Sequence, residues 1–144
     1  MDKGVYLLVL RLPEARSLEV GALGRREFAA GWYLYVGSAH GPGWLNARLR
    51  RHRSLDKRMR WHVDYLRAAS EFVEAWAAPL SADCECEWER RLMVAPEAEA
   101  PVPGFGASDC RCASHIVHFR SRPSHEFLKF LACNGIVPIL WGEE

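Results

Sequence analysis

Two short segments each put a tyrosine beside a glycine: Gly4-Val5-Tyr6 and Tyr35-Val36-Gly37. If the segments pair as antiparallel strands, Tyr6 and Tyr35 lie on one face of a sheet. Arg48 and His52 are spaced i, i+4 and share a helix face. Arginine offers phosphate oxygens a planar fork that never loses its charge. Facing a tyrosine-bearing sheet, the pair makes a phosphate site. Arg51 in the same basic stretch and His62 in Arg60-Trp61-His62 are further substrate candidates. A second cluster is Cys84-Glu85-Cys86 and Cys110-Arg111-Cys112 with His115. It has enough ligands for a structural Zn²⁺, although C-x-x-C is the favoured spacing. Buried free thiols are the plainer alternative.

The elements that must position these groups can be read from local patterns. Val5 to Leu10 reads as a fully buried strand, and 12–27 as loop or hairpin. Trp32 to Gly37 is aromatic and β-branched, a second strand. Gly37 to Gly43 is a loop. Trp44 to Arg53 fits a helix, with Leu45 and Leu49 on one stripe. Arg60 to Ala69 reads as a second short helix and Glu71 to Ala77 as a third strand. Asp83 is a candidate N-cap for a helix through Met93. Residues 95–114 read as a Pro/Gly/Cys-rich loop, His115 to Phe119 as another strand, and Ser124 to Cys133 as a last helix with Cys133 in the core. Interleaved strands and helices predict an α/β fold of the α+β type, a small sheet with helices packed on it.

The 144 residues suit one domain, and 49% apolar with 26% charged excludes whole-chain disorder, collagen and coiled coil. The longest early apolar run is too short to span a membrane, and no export signal follows it. Five cysteines are an odd number, so a complete disulfide framework is impossible. A cytoplasmic protein with reduced thiols and no membrane partner is predicted. The formal net charge of +1 hides a division. Residues 1–70 hold 13 Lys/Arg and 6 Asp/Glu, and residues 71–144 hold 6 and 12. Seven of the basic residues fall between Arg48 and Arg60, a phosphate-binding surface or a solvated helix face.

The ordered set Gly4-Val5-Tyr6, Tyr35-Val36-Gly37-Ser38, Arg48 and His52 resembles the GIY-YIG endonuclease superfamily. Trp61-His62-Val63-Asp64-Tyr65-Leu66, Glu85-Cys86-Glu87, Pro103-Gly104-Phe105-Gly106 and the run from Ser108 to His115 resemble its compact stand-alone branch. The resemblance covers roughly residues 3–120. It implies a nuclease domain over 1–120 with a three-stranded antiparallel central sheet flanked by helices, and with an extra C-terminal strand and helix. Residues 121–144 would be a C-terminal helical extension packed on that domain.

The resemblance also implies hydrolysis of phosphodiester bonds in nucleic acid, with DNA as the first candidate and Mg²⁺ or Mn²⁺ as cofactor. Tyr6 would be the general base or a water-orienting phenol, supported by hydrogen bonding from Tyr35. Gly37 would let the backbone approach substrate closely, with Ser38 beside it. Arg48 would hold the scissile phosphate, and His52 would assist with proton or phosphate. A nearby arginine and cation should pull the Tyr6 pKa down from about 10. The metal should sit on the 83–93 helix, where Glu85, Glu87 and Glu89 compete. Glu85 lies nearest the Trp88 and Leu92 stripe and is the first choice, with Glu87 second. Two other readings compete: a nucleic-acid-binding module that does not cleave, and a zinc-stabilised protein-interaction domain.

Overall fold

The computed structural model describes residues 3–41, 43–100, 105 and 114–142. Strand β1 (Gly4–Leu12) has no charged side chain before Arg11. Such a strand has to bury both faces, which puts it in the middle of a sheet. It pairs antiparallel with β4 (Gly31–Ala39) on one side and β5 (Glu71–Ala78) on the other. β6 (Ile116–Phe119) joins beyond β4, and β7 (Ile139–Leu140) beyond β5. The order is β6-β4-β1-β5-β7, and every pairing is antiparallel. The sheet thus has five strands where three and an extra one were expected: β6 takes one edge, and β7 adds the other. Between β1 and β4, residues 12–27 form the hairpin β2 (Arg16–Glu19) and β3 (Arg25–Phe28) around a 3-10 turn at Gly21–Leu23.

The period-2 alternation of β1 divides the core. Tyr6, Leu8, Leu10 and Leu12 face one way, with Tyr33 and Tyr35 from β4. Helices α1 (Trp44–Arg53) and α2 (His62–Ala69) cover this face through Leu45, Leu49, Val63 and Leu66. Val5, Leu7 and Val9 face the other way, with Leu34, Val36 and Trp76. There α3 (Cys84–Met93) and α4 (His125–Lys129) contribute Trp88, Leu92 and Leu128. The α+β class stands.

Several boundaries differ from the sequence expectation. α2 begins at His62 rather than Arg60, because the Asp64 carboxylate accepts from the backbone N–H groups of Arg60 and Trp61 and fixes its first turn. Asp83 occupies the N-cap position of α3, yet its side chain makes no capping bond. α4 is capped by Ser124, whose Oγ accepts from the Phe127 N–H, but it ends at Lys129 instead of Cys133. Asn134 (φ 53°) and Gly135 (φ 77°) then turn the chain, and Cys133 bridges to Ile136 across them. That turn brings Cys133 to a Cα distance of 6.5 Å from Cys84, with which it forms a disulfide. The reduced-thiol expectation is therefore corrected at these two residues and at Cys86, which is also disulfide-bonded. An odd cysteine count excludes a complete framework, not individual bridges.

Residues 121–142 pack on the same sheet, and they are not purely helical. β7 pairs with β5, and the Trp141 indole N–H donates to Asn46 Oδ1 at 2.8 Å. Among the described residues, no helix is long and apolar enough to cross a membrane.

Candidate active site

The β1/β4 register sets Tyr6 opposite Gly37. A Cβ built on Gly37 would lie 2.5 Å from both Cζ and the hydroxyl of Tyr6. Gly37 is thus required by the Tyr6 ring, which fills the space reserved above for approach to substrate. The Tyr6 hydroxyl is 2.8 Å from His52 Nε2, and the two rings are tilted with centroids 5.3 Å apart. His52 rather than Tyr35 is the hydrogen-bond partner of Tyr6. Tyr35 packs beside it at 6.5 Å between ring centroids and against His52 at 6.0 Å.

His52 sits in the last turn of α1, where backbone carbonyls lack helical partners. Two cations cover that end. Lys57 Nζ donates to the carbonyls of Arg51 and His52. Arg67 donates through Nε to His52 O and through a terminal nitrogen to Arg53 O. Positive charge is favourable at a helix C-terminus, so the cap and the dipole hold the imidazole in place together.

Burial dominates the electrostatics of the pair. It raises the Tyr6 pKa well above its usual value, while the Arg48 charge pulls it down by less. Arg48 thus acts on the phenol in the expected direction, but burial outweighs it. Burial, with Lys57 next, pushes His52 down to about 3. At neutral pH both groups are therefore uncharged, and one hydrogen bond joins the phenol hydroxyl and Nε2. His52 Nδ1 has no hydrogen-bond partner among the described residues. Burial raises Tyr35 as well, helped by the neighbouring Tyr6 and Glu85.

Arg48 reaches back to the Ser38 carbonyl at 3.0 Å, and its guanidinium lies 4.7 Å from the centre of the Trp61 ring. Arg51 does not serve as expected. Its fork is taken up by Asp64, with both bonds at 2.9 Å, and by the Arg58 carbonyl, while its guanidinium stacks 4.2 Å from Trp61. Asp64 is fully buried, with Lys57 3.7 Å away. Burial alone would raise its pKa. Arg51 and the N–H groups of Trp61 and Arg60 reverse that and hold it at about 2.

A depressed carboxyl stabilises the fold above its unfolded pKa of 3.8. That stability is lost as pH falls through the folded value. Asp64→Asn should cost about 3–5 kcal/mol at pH 7, the loss seen when one partner of a buried pair is removed. Urea melts should show the gap to the parent closing between about pH 4 and pH 2. A constant gap across that range would refute the assignment.

On α3 the three candidate glutamates separate. Glu85 faces the cleft, close enough for its charge to act on Tyr6, Tyr35 and His115. Glu87, the second choice, pairs with Arg90 and Arg91 and lies outside the cleft. Glu89 is buried, and burial raises its pKa. His62 and His115 both line the cleft, and burial lowers both pKa values.

The possible zinc set is seen only in part. Cys84 is bonded to Cys133, Cys86 is also disulfide-bonded, and Cys110 and Cys112 lie outside the described residues. Among the described residues no group of three or more His, Cys, Asp and Glu could hold a metal. Mg²⁺ does not need such a cage. It keeps several waters and binds through one or two carboxylates plus substrate phosphate. Glu85, with Asp83 nearby on the cleft wall, fits that requirement.

Together these groups border a cleft of about 600 Å³ that holds Tyr6, Tyr35, Gly37, Ser38, Arg48, His62, Glu85, Cys86 and His115. β1, β4, α1, α2 and α3 all contribute to it. His52 lies behind Tyr6. Sequence reasoning missed Arg60, Trp61 and Asp83 on the wall. Three guanidinium groups, from Arg48, Arg51 and Arg60, gather around the Trp61 indole. A tryptophan at the end of a basic run was the available signal. A family model described as "Domain of unknown function DUF123" matches residues 5–134. No curated protein and no solved structure matches the chain.

Proposed function

The chain belongs to the family described as Domain of unknown function DUF123, and from its site we propose that it is a metal-dependent endonuclease. It hydrolyses phosphodiester bonds in nucleic acid, with DNA as the first candidate. One observation carries the reading: Tyr6 hydrogen-bonded to His52 shares a cleft with Arg48 and Glu85. A phosphodiester offers little covalent chemistry for the protein to perform. Its hydrolysis needs a positioned attacking water and fixed positive charge.

The residues divide this work. Arg48 binds the scissile phosphate and meets the charge that grows on its oxygens. The Tyr6 hydroxyl, fixed by its bond to His52 Nε2, orients the attacking water towards the phosphorus. His52 stays neutral because burial disfavours its charged form, so it positions the phenol without adding charge. Glu85 would hold Mg²⁺ or Mn²⁺. When bound, that ion polarises a phosphoryl oxygen and stabilises the leaving oxygen.

The test is a cleavage panel of single-stranded, duplex, flap and branched substrates with Mg²⁺ or Mn²⁺, run beside Arg48→Ala. The parent should cut at least one substrate, and Arg48→Ala should lower the rate by roughly 10²-fold or more. Equal rates, or no cleavage by the parent on any substrate, would overturn the reading.

A further inference from the structure

α1 carries a feature that the chemistry above leaves unused. Its first residue, Trp44, is 56% exposed. Among the described residues its ring makes no aromatic, cation or hydrogen-bond contact. It is nonetheless held in place. The indole lies against Gly41 so closely that a Cβ there would collide with the ring. The Trp44 N–H donates to the Gly41 carbonyl at 3.1 Å. One flat face is pinned and much of the ring is open to solvent.

Trp44 precedes Arg48 by four residues on one helix face. That is about 6 Å along the axis, or one to two nucleotide steps at about 3.4 Å of rise each. The chain also links them the other way, since Ser38, whose carbonyl holds Arg48, leads through Gly41 to Trp44. α1 contains no acidic residue, and Arg60 adds a second guanidinium to the cleft wall. A strand drawn to these cations would pass the open indole. In a duplex interior the base faces are already stacked on one another, so only an unpaired base can lie on such a ring.

We propose that Trp44 is a stacking platform for an unpaired nucleobase close to the cleaved bond, so that the substrate is a strand with a single-stranded segment there. This rests on the site's taking nucleic acid, as proposed above.

Binding without metal tests it. Anisotropy of a labelled single strand and a blunt duplex is measured for the parent, Trp44→Ala and Trp44→Phe. A second single strand carries 2-aminopurine as its fluorescent base. Trp44→Ala should weaken single-strand binding roughly tenfold or more, lower the single-strand to duplex preference, and lose the 2-aminopurine quench. Trp44→Phe should keep most of the affinity. Unchanged single-strand affinity in Trp44→Ala would overturn the proposal. So would an equal loss in both variants, an equal loss on blunt duplex, or a parent that binds no single strand. Mg²⁺ is then added to the same complexes. A parent that binds and stacks but does not cleave sinks the nuclease reading and leaves the platform standing.

Discussion

Tyr6→Phe should lower Mg²⁺-dependent cleavage by roughly 10²-fold or more, the cost of losing the group that orients the attacking water. The fold should lose about 1–3 kcal/mol, since the ring stays but the buried His52 Nε2 loses its partner. The asymmetry follows from the geometry. The ring packs into the gap at Gly37, while the hydroxyl has its bond to His52 Nε2 at 2.8 Å. In the variant His52 keeps its place, because Lys57 and Arg67 hold its carbonyl rather than its ring. The pH profile adds a second readout. His52 is held at about 3, so no loss of activity between pH 8 and pH 5 should trace to its protonation. Nitrogen chemical shifts of a labelled His52 should stay those of a neutral ring over that interval. An imidazolium at pH 6, or full activity in Tyr6→Phe, would overturn this assignment.

The second large effect separates two glutamates on one helix. Glu85→Gln should reduce metal-dependent cleavage by at least roughly 10²-fold, because an ion supplying several kcal/mol of charge stabilisation loses its carboxylate. Glu87→Gln should leave it nearly unchanged. Glu87 already accepts from Arg90 and Arg91 on the outer side of α3, and hydrogen bonds from these arginines lower its pKa. Calorimetric titration with Mn²⁺ checks the pair without reference to turnover: Glu85→Gln should weaken binding and Glu87→Gln should not. The reverse result would move the ion to the other side of the helix.

Much of the frame was legible because its signals were local. The uncharged run of β1, the aromatic run of β4 and the Leu45/Leu49 stripe each fix an element by period and composition. The i, i+4 rule brought Arg48 and His52 to one helix face, and helical angle favoured Glu85 over Glu87. What was missed depends on partners far apart in the chain. Arg51 reads like any other basic residue until Asp64 is seen buried against it. Burial, invisible in a tripeptide, overrode the charge of Arg48 at Tyr6. β7 spans two residues, too short for any period to register. The disulfide joins residues 49 apart, and the turn that permits it begins where a helix was expected to continue.

Gly37 and Tyr6 share one side-chain volume across two strands, and that volume can be filled only once. Sequence drift at either position is therefore tied to the other. Bulk acquired at 37 has to be matched by bulk surrendered at 6, and with it goes the phenol. No single substitution carries the reactive group from one strand to its neighbour. A lineage attempting the exchange would pass through a chain small at both positions, with a hollow in its core and no phenol in the cleft. The absence of a side chain at residue 37 thus confines the tyrosine to the strand where it stands.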